Sequence, residues 1–183
     1  MKNRIFPYTV IISIICFCFS CKPSGNALNS GKKLYTDFFV GGGGTQYFIK
    51  PLEFESKVGT KEEILVDITF RYKDEIKDSA TVNFSIVGSK PYKSILKFIL
   101  KGETISFVSD EVDLMYNERG KDGFISRFSC KLPLSVLTEM VKSGYDWEIT
   151  ISDNSQTNYS YRSSKKTIKS LEKLDESLFI LID

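Results

Sequence analysis

Histidine is absent from this 183-residue chain, so the side chains that could do chemistry are serine, lysine, carboxylates, tyrosine and four cysteines. That absence removes the usual imidazole base, the commonest zinc ligand and the ordinary neutral-pH switch. A serine nucleophile with a lysine base would need none of these. Ser-x-x-Lys occurs at Ser30–Lys33, Ser94–Lys97, Ser163–Lys166 and Ser170–Lys173. With 22 Ser and 20 Lys in the chain, chance alone places about two such spacings. The motif therefore carries no information. Asp110, Glu111 and Asp113 are close in sequence but lack the spaced oxygen ligands and the glycine of a calcium loop. Glu53 and Glu55 share one face of a strand, which does not make a glycosidase carboxylate pair. Gly41–Gly44 runs into Thr45, Gln46, Tyr47 and Phe48 instead of the Gly-Lys-Ser/Thr of a phosphate loop, and reads as a loop or bulge. No catalytic residue, metal site or cofactor follows from these patterns, and an enzyme ranks behind the binding functions.

Cysteine points elsewhere. Lys2 and Arg4 precede Ile5–Ser20, a stretch without a single charge. Sixteen residues give about 24 Å of helix, short of the ~30 Å hydrocarbon core but ample for an export signal. The stretch ends in Cys18, Phe19, Ser20 and Cys21, followed by polar Lys22, Pro23, Ser24 and Gly25. A small residue before a cysteine at this place resembles the lipobox of bacterial lipoprotein precursors. Cys18 stands where Leu is usual there, and Phe19 where a small residue is. The resemblance covers the leader alone. It implies cleavage before Cys21 by signal peptidase II, diacylglycerol on the Cys21 thiol and usually acylation of the new amino group. Two or more acyl chains make a lasting anchor where one binds reversibly. Lys22 is not the Asp-type retention signal of the inner membrane, so the outer membrane is the expected location. The chain then divides into a signal peptide (1–20), a lipidated cysteine with a flexible tether (21–33) and one β-rich domain (34–183).

Cys16 and Cys18 leave with the leader, and Cys21 is committed to lipid. Cys130, between Phe128 and Leu132 on a strand face, reads as a small buried hydrophobe, so stability must come from packing. Losing Lys2 and Arg4 reduces 25 basic residues to 23, equal to the 23 acidic ones. A mature chain near zero net charge lacks the basic surplus that nucleic acid requires. It also favours a hydrophobic anchor over electrostatic adhesion to anionic lipid.

With 42% hydrophobic residues and 26% charged over its 183 residues, the chain can bury a core. Ile64, Val66, Ile68, Phe70 and Tyr72 alternate with polar partners over Glu63–Tyr72, a half-buried strand, and Ala80–Ile86 repeats the pattern as its hairpin partner. Leu34–Val40 and Gln46–Phe54 flank the glycine stretch as further strands. Ser94–Leu100 fits strand or helix, with the strand preferred because Gly102 follows and Thr104–Val108 alternates. Val112–Glu118 and Phe124–Leu132 flank a glycine turn as another hairpin. Leu134, Leu137, Met140 and Val141 after Pro133, with Gly144 as a stop, mark one short helix. Trp147, Ile149 and Ile151 resume a strand, and Tyr159–Arg162 follows it. Ile168, Leu171, Leu174, Leu178 and Ile182 mark a terminal helix with Ser163 or Ser164 as N-cap. The sum is a mainly β, α+β chain: an antiparallel sandwich or curved sheet with helices packed on one side.

The function expected on these grounds is a membrane-anchored, non-catalytic docking module of the cell envelope. It would use a sheet edge or the aromatic patch Tyr159, Tyr161 and Arg162 against an envelope protein. An immunity or inhibitor protein would look the same from sequence. The alternative is a carrier whose curved sheet encloses an acyl chain or another small apolar ligand. The leader reading has a direct consequence: Cys21→Ser should lose the diacylglycerol mass and leave the membrane fraction, as mass spectrometry and fractionation would record.

Overall fold

The computed structural model describes residues 34–73, 76–77, 79–121 and 123–182. The leader, Cys21 and the tether lie outside the described residues. Eleven strands form one antiparallel sheet: β1 Tyr35–Val40, β2 Gly44–Ser56, β3 Glu63–Lys73, β4 Ile76–Lys77, β5 Ala80–Gly88, β6 Ile95–Lys101, β7 Ser106–Ser109, β8 Asp113–Gly120, β9 Gly123–Leu132, β10 Glu148–Asp153 and β11 Asn158–Ser163. Helices α1 (Leu134–Ser143) and α2 (Lys165–Ser177) interrupt and close the chain. The fold is mainly β, and Ser94–Leu100 enters it as strand β6.

Strands lie in the order β7-β6-β10-β11-β2-β3-β5-β9-β8, with β1 and β4 paired to β2 and β3. Period two sets which residues face inward: Ile64, Val66, Ile68 and Phe70 of β3 are buried opposite Ile86, Phe84 and Val82 of β5. Phe84 stacks on Phe128 of the adjacent β9, with ring centroids 5.4 Å apart. It also stacks on Phe98 of β6, at 4.7 Å. In a flat sheet β6 and β5, five inter-strand steps apart in this order, would be separated by about 24 Å. The sheet therefore curls over itself, and these rings meet across its interior.

Gly41–Gly43 is a tight turn rather than an open loop, since Val40 pairs with Gly44. Gly42 and Gly43 have φ of 84° and 82°, the left-handed region that favours glycine. Arg71 donates to the Gly41 carbonyl at 2.8 Å, so the close neighbour of this turn is a side chain of the same protein.

Long β2 changes partners on one edge: Gly44–Ile49 pairs with β1, and Phe54–Ser56 with β11. At the junction the Glu53 backbone has no strand on that side. Buried Thr167 of α2 fills the gap. Its hydroxyl accepts the Glu53 N–H at 2.7 Å and donates to the Glu53 carbonyl, which also receives the Ser164 N–H at 3.0 Å. Ser164 is the N-cap, accepting the Thr167 N–H. Leu171, Leu174 and Leu178 bury the inner stripe. The helix ends at Ser177, before the expected stripe does, and a 3-10 turn at Phe179–Leu181 sets Phe179 against Phe70 at 6.2 Å. Thr167→Val keeps the shape but strands the Glu53 N–H, and urea unfolding should register a loss of about 1–3 kcal/mol.

Candidate functional site

The proposed aromatic patch divides between two faces of the sheet. Tyr161 lies opposite Ile149 and Ser56, on the inner face, and is only 1% exposed. Tyr159 shares that face and is half-buried. Arg162 points to the outer face, between Glu148 and Glu55 in the register, and is exposed. The three residues do not form one surface, because consecutive strand residues point to opposite sides.

Tyr161 belongs instead to a cluster that the sequence did not disclose. Its hydroxyl donates to Glu62 Oε2 at 2.9 Å, and the buried Tyr92 hydroxyl donates to Glu62 Oε1 at the same distance. Tyr159 packs edge-on against Tyr92, and its hydroxyl donates to Asp153 at 3.2 Å. The Lys90 ammonium donates to the Tyr159 hydroxyl at 3.3 Å and stands 5.4 Å and 5.5 Å from the Tyr92 and Tyr159 ring centres. Burial pushes both the Tyr92 and Tyr161 phenols up, and the neighbouring Glu62 carboxylate pushes them further. The cluster locks the loop around Tyr92 to β11, with both Glu62 oxygens committed.

The remaining candidates resolve into structural roles. Cys130 is a free, buried thiol pushed up to about 12 by burial, hence an inert one. Ser163 bonds the Trp147 backbone, and Ser170 donates to the Lys166 carbonyl one turn back. Lys97 is 4.0 Å from Asp110; Asp110, Glu111 and Asp113 are all exposed. Among the described residues no group of three metal-ligating side chains comes together. Glu53 pairs with Lys166 at 3.5 Å. It lines an open cleft of about 510 Å³ together with Glu55, Asp146, Arg162 and Lys165, a surface of mixed charge.

Exposed apolar surface concentrates on strand edges. β8 pairs with β9 along one side and, among the described residues, with nothing along the other. Leu114, Met115 and Tyr116 are 42%, 54% and 43% exposed. The ladder skips Met115: Leu114 faces Phe128 and Tyr116 faces Arg127. Opposite this edge, β9 is well held, for Arg127 grips both Asp67 oxygens at 2.7 Å and 2.9 Å and donates to Ser85. Edge β1 also exposes Phe38 and Phe39, Phe38 lying edge-on to Phe48 at 5.7 Å. β7, at the far end, is only four residues long.

Comparison with family models, curated proteins and solved structures finds no match for this chain.

The Glu62 cluster sets an alkaline limit. Below about pH 10, the ordinary value for a phenol, both states keep Tyr92 and Tyr161 protonated and nothing is lost. Above it the unfolded chain ionises these phenols while the folded chain cannot, so stability falls as pH rises towards the raised folded values. Urea unfolding at successive pH values should show that decline, with tyrosinate absorbance from the two residues appearing only on unfolding. Glu62→Gln removes the negative neighbour and should make the decline shallower.

Proposed function

We propose that this chain is a bacterial envelope lipoprotein, anchored in the outer membrane through Cys21, that docks another envelope protein without catalysis. The β8 edge carries the docking part of this reading. An eight-residue edge exposes Leu114, Met115 and Tyr116 between charged Asp113 on one side and Asn117, Glu118 and Arg119 on the other, an apolar centre that a protein working alone would also cover. A partner strand laid along it would gain backbone hydrogen bonds, with Met115 as an adaptable apolar contact. The edge also belongs to a different part of the strand order from β1, the strand that follows residues 22–33. Leu34, next to the tether, leads directly into β1, and β8 stands five inter-strand steps away, about 24 Å along the curled surface. A partner could therefore pair with β8 while the lipid holds the other part of the sheet.

The interior supports docking over carriage of an apolar ligand. Phe54, Phe84, Phe98, Phe128 and Trp147 fill the space within the curl, each at most 1% exposed. An acyl chain would have to displace them.

A photo-crosslinker at position 116 should trap a defined envelope protein in intact membranes, whereas one at Lys97 on β6 should not. Leu114→Lys with Tyr116→Lys should weaken binding of that protein at least about tenfold, without altering the melting temperature much. Equal crosslinking at both positions would remove β8 from the proposal.

A further inference from the structure

The near-balance of charge over the whole chain conceals a local separation. Helix α2 carries Lys165, Lys166, Lys169 and Lys173, all exposed. They line an open cleft of about 400 Å³ whose other lining residues, among the described residues, are Ser170 and Leu34, neither of them a carboxylate. Glu53 reaches Lys166 from β2 at 3.5 Å. Glu172 and Glu176 lie on the same helix outside the cleft, and Asp175 is held by the Tyr145 hydroxyl at 2.8 Å. Among the described residues, Glu53 is the one carboxylate that pairs with any of these four ammonium groups.

Leu34 decides what this cleft faces. It is pinned to the sheet by the Lys50 N–H, which donates to its carbonyl at 2.9 Å. It is also the point where residues 22–33 join the fold. The sequence that links Cys21 to the fold thus meets it at Leu34, one of the residues lining the lysine cleft. The twelve-residue link sets the reach between them: even fully extended it spans no more than about 40 Å. The membrane that holds the acylated residue therefore lies within that reach of Leu34 and of the lysines that line the cleft with it.

The geometry points to the lysine face of α2 as the side of the domain that rests on anionic phospholipid headgroups, orienting the molecule on its membrane. This rests on the reading of Cys21 as lipidated, and it deepens that reading: lipid supplies retention, and the lysines supply orientation. Headgroup phosphates meet the ammonium groups as point charges, with an attraction that falls off within a Debye length of the surface.

The test is lysine footprinting of the purified, processed protein on phosphatidylcholine vesicles with and without phosphatidylglycerol, acylating amines and reading each site by mass spectrometry. Phosphatidylglycerol should slow Lys165, Lys166, Lys169 and Lys173 at least about fivefold relative to Lys97 and Lys131, and inorganic phosphate without vesicles should not. Combining Lys165→Glu, Lys169→Glu and Lys173→Glu, all exposed positions, should abolish protection of Lys166 while leaving the protein vesicle-bound. Equal acylation rates with and without phosphatidylglycerol, or protection confined to Lys97 and Lys131, would overturn the orientation. The same spectra report the mass of the Cys21 peptide. An unmodified Cys21 with protected lysines would sink the anchor alone, and an acylated Cys21 with unprotected lysines would sink the lysine face alone.

Discussion

The contact between Phe84 and Phe98 governs the rest of this architecture. A single antiparallel sheet has two faces, and this one holds enough aromatic side chain on one of them that exposure to water would be costly. Curling brings β5 and β6 together across that face, so one sheet acts as both walls of its own core. The helices complete the enclosure, α2 lying on β2 and joined to it by the Thr167 hydroxyl. The curl, however, leaves β7 and β8 as the two ends of the strand order. Full closure into a barrel would have removed those edges. β7 is kept short, whereas β8 is longer and exposes Leu114, Met115 and Tyr116 between charged ends, and this asymmetry separates a structural end from one suited to a partner.

Polar groups follow the same economy. The Glu53 backbone, Glu62, Asp67 and Arg127 each sit where a strand changes partner, a loop crosses the sheet or the outer face needs tying, and each has its hydrogen bonds met. The tyrosines that looked like a recognition surface are part of this fastening. Tyr161 spends its hydroxyl on Glu62 and its ring in the core, leaving neither for a partner.

Much of the fold was legible because strand alternation is local. Ile64, Val66, Ile68 and Phe70 name their own inward side, and Glu63–Lys73 formed with Ala80–Gly88 beside it as the pattern required. A cap at Ser163 or Ser164 was readable because capping acts over three residues, and the structure gives it to Ser164. What stayed hidden depends on separation. Alternation says which side of a strand is apolar but not which distant strand it meets, so a sandwich and a curved sheet stayed equally open and the pairing of β6 with β10 could not be read. Glu62 finds Tyr161 across 99 residues, and Thr167 finds Glu53 across 114. A Thr in a helix and a Glu before a strand carry no mark of such partners. The β8 edge was visible as a strand in Val112–Glu118, but its exposure followed only from its terminal place in the sheet.

The placement of Leu34 also bears on how the molecule would withstand pulling. Its carbonyl is bonded to Lys50, and β1 runs from there towards the glycine turn in register with β2 over six residues. A load entering at Leu34 and directed along the strand meets those six pairings side by side, in shear, whereas a tug applied at the turn would open them singly. A domain hung by this end would hold like a glued lap joint rather than peel like tape.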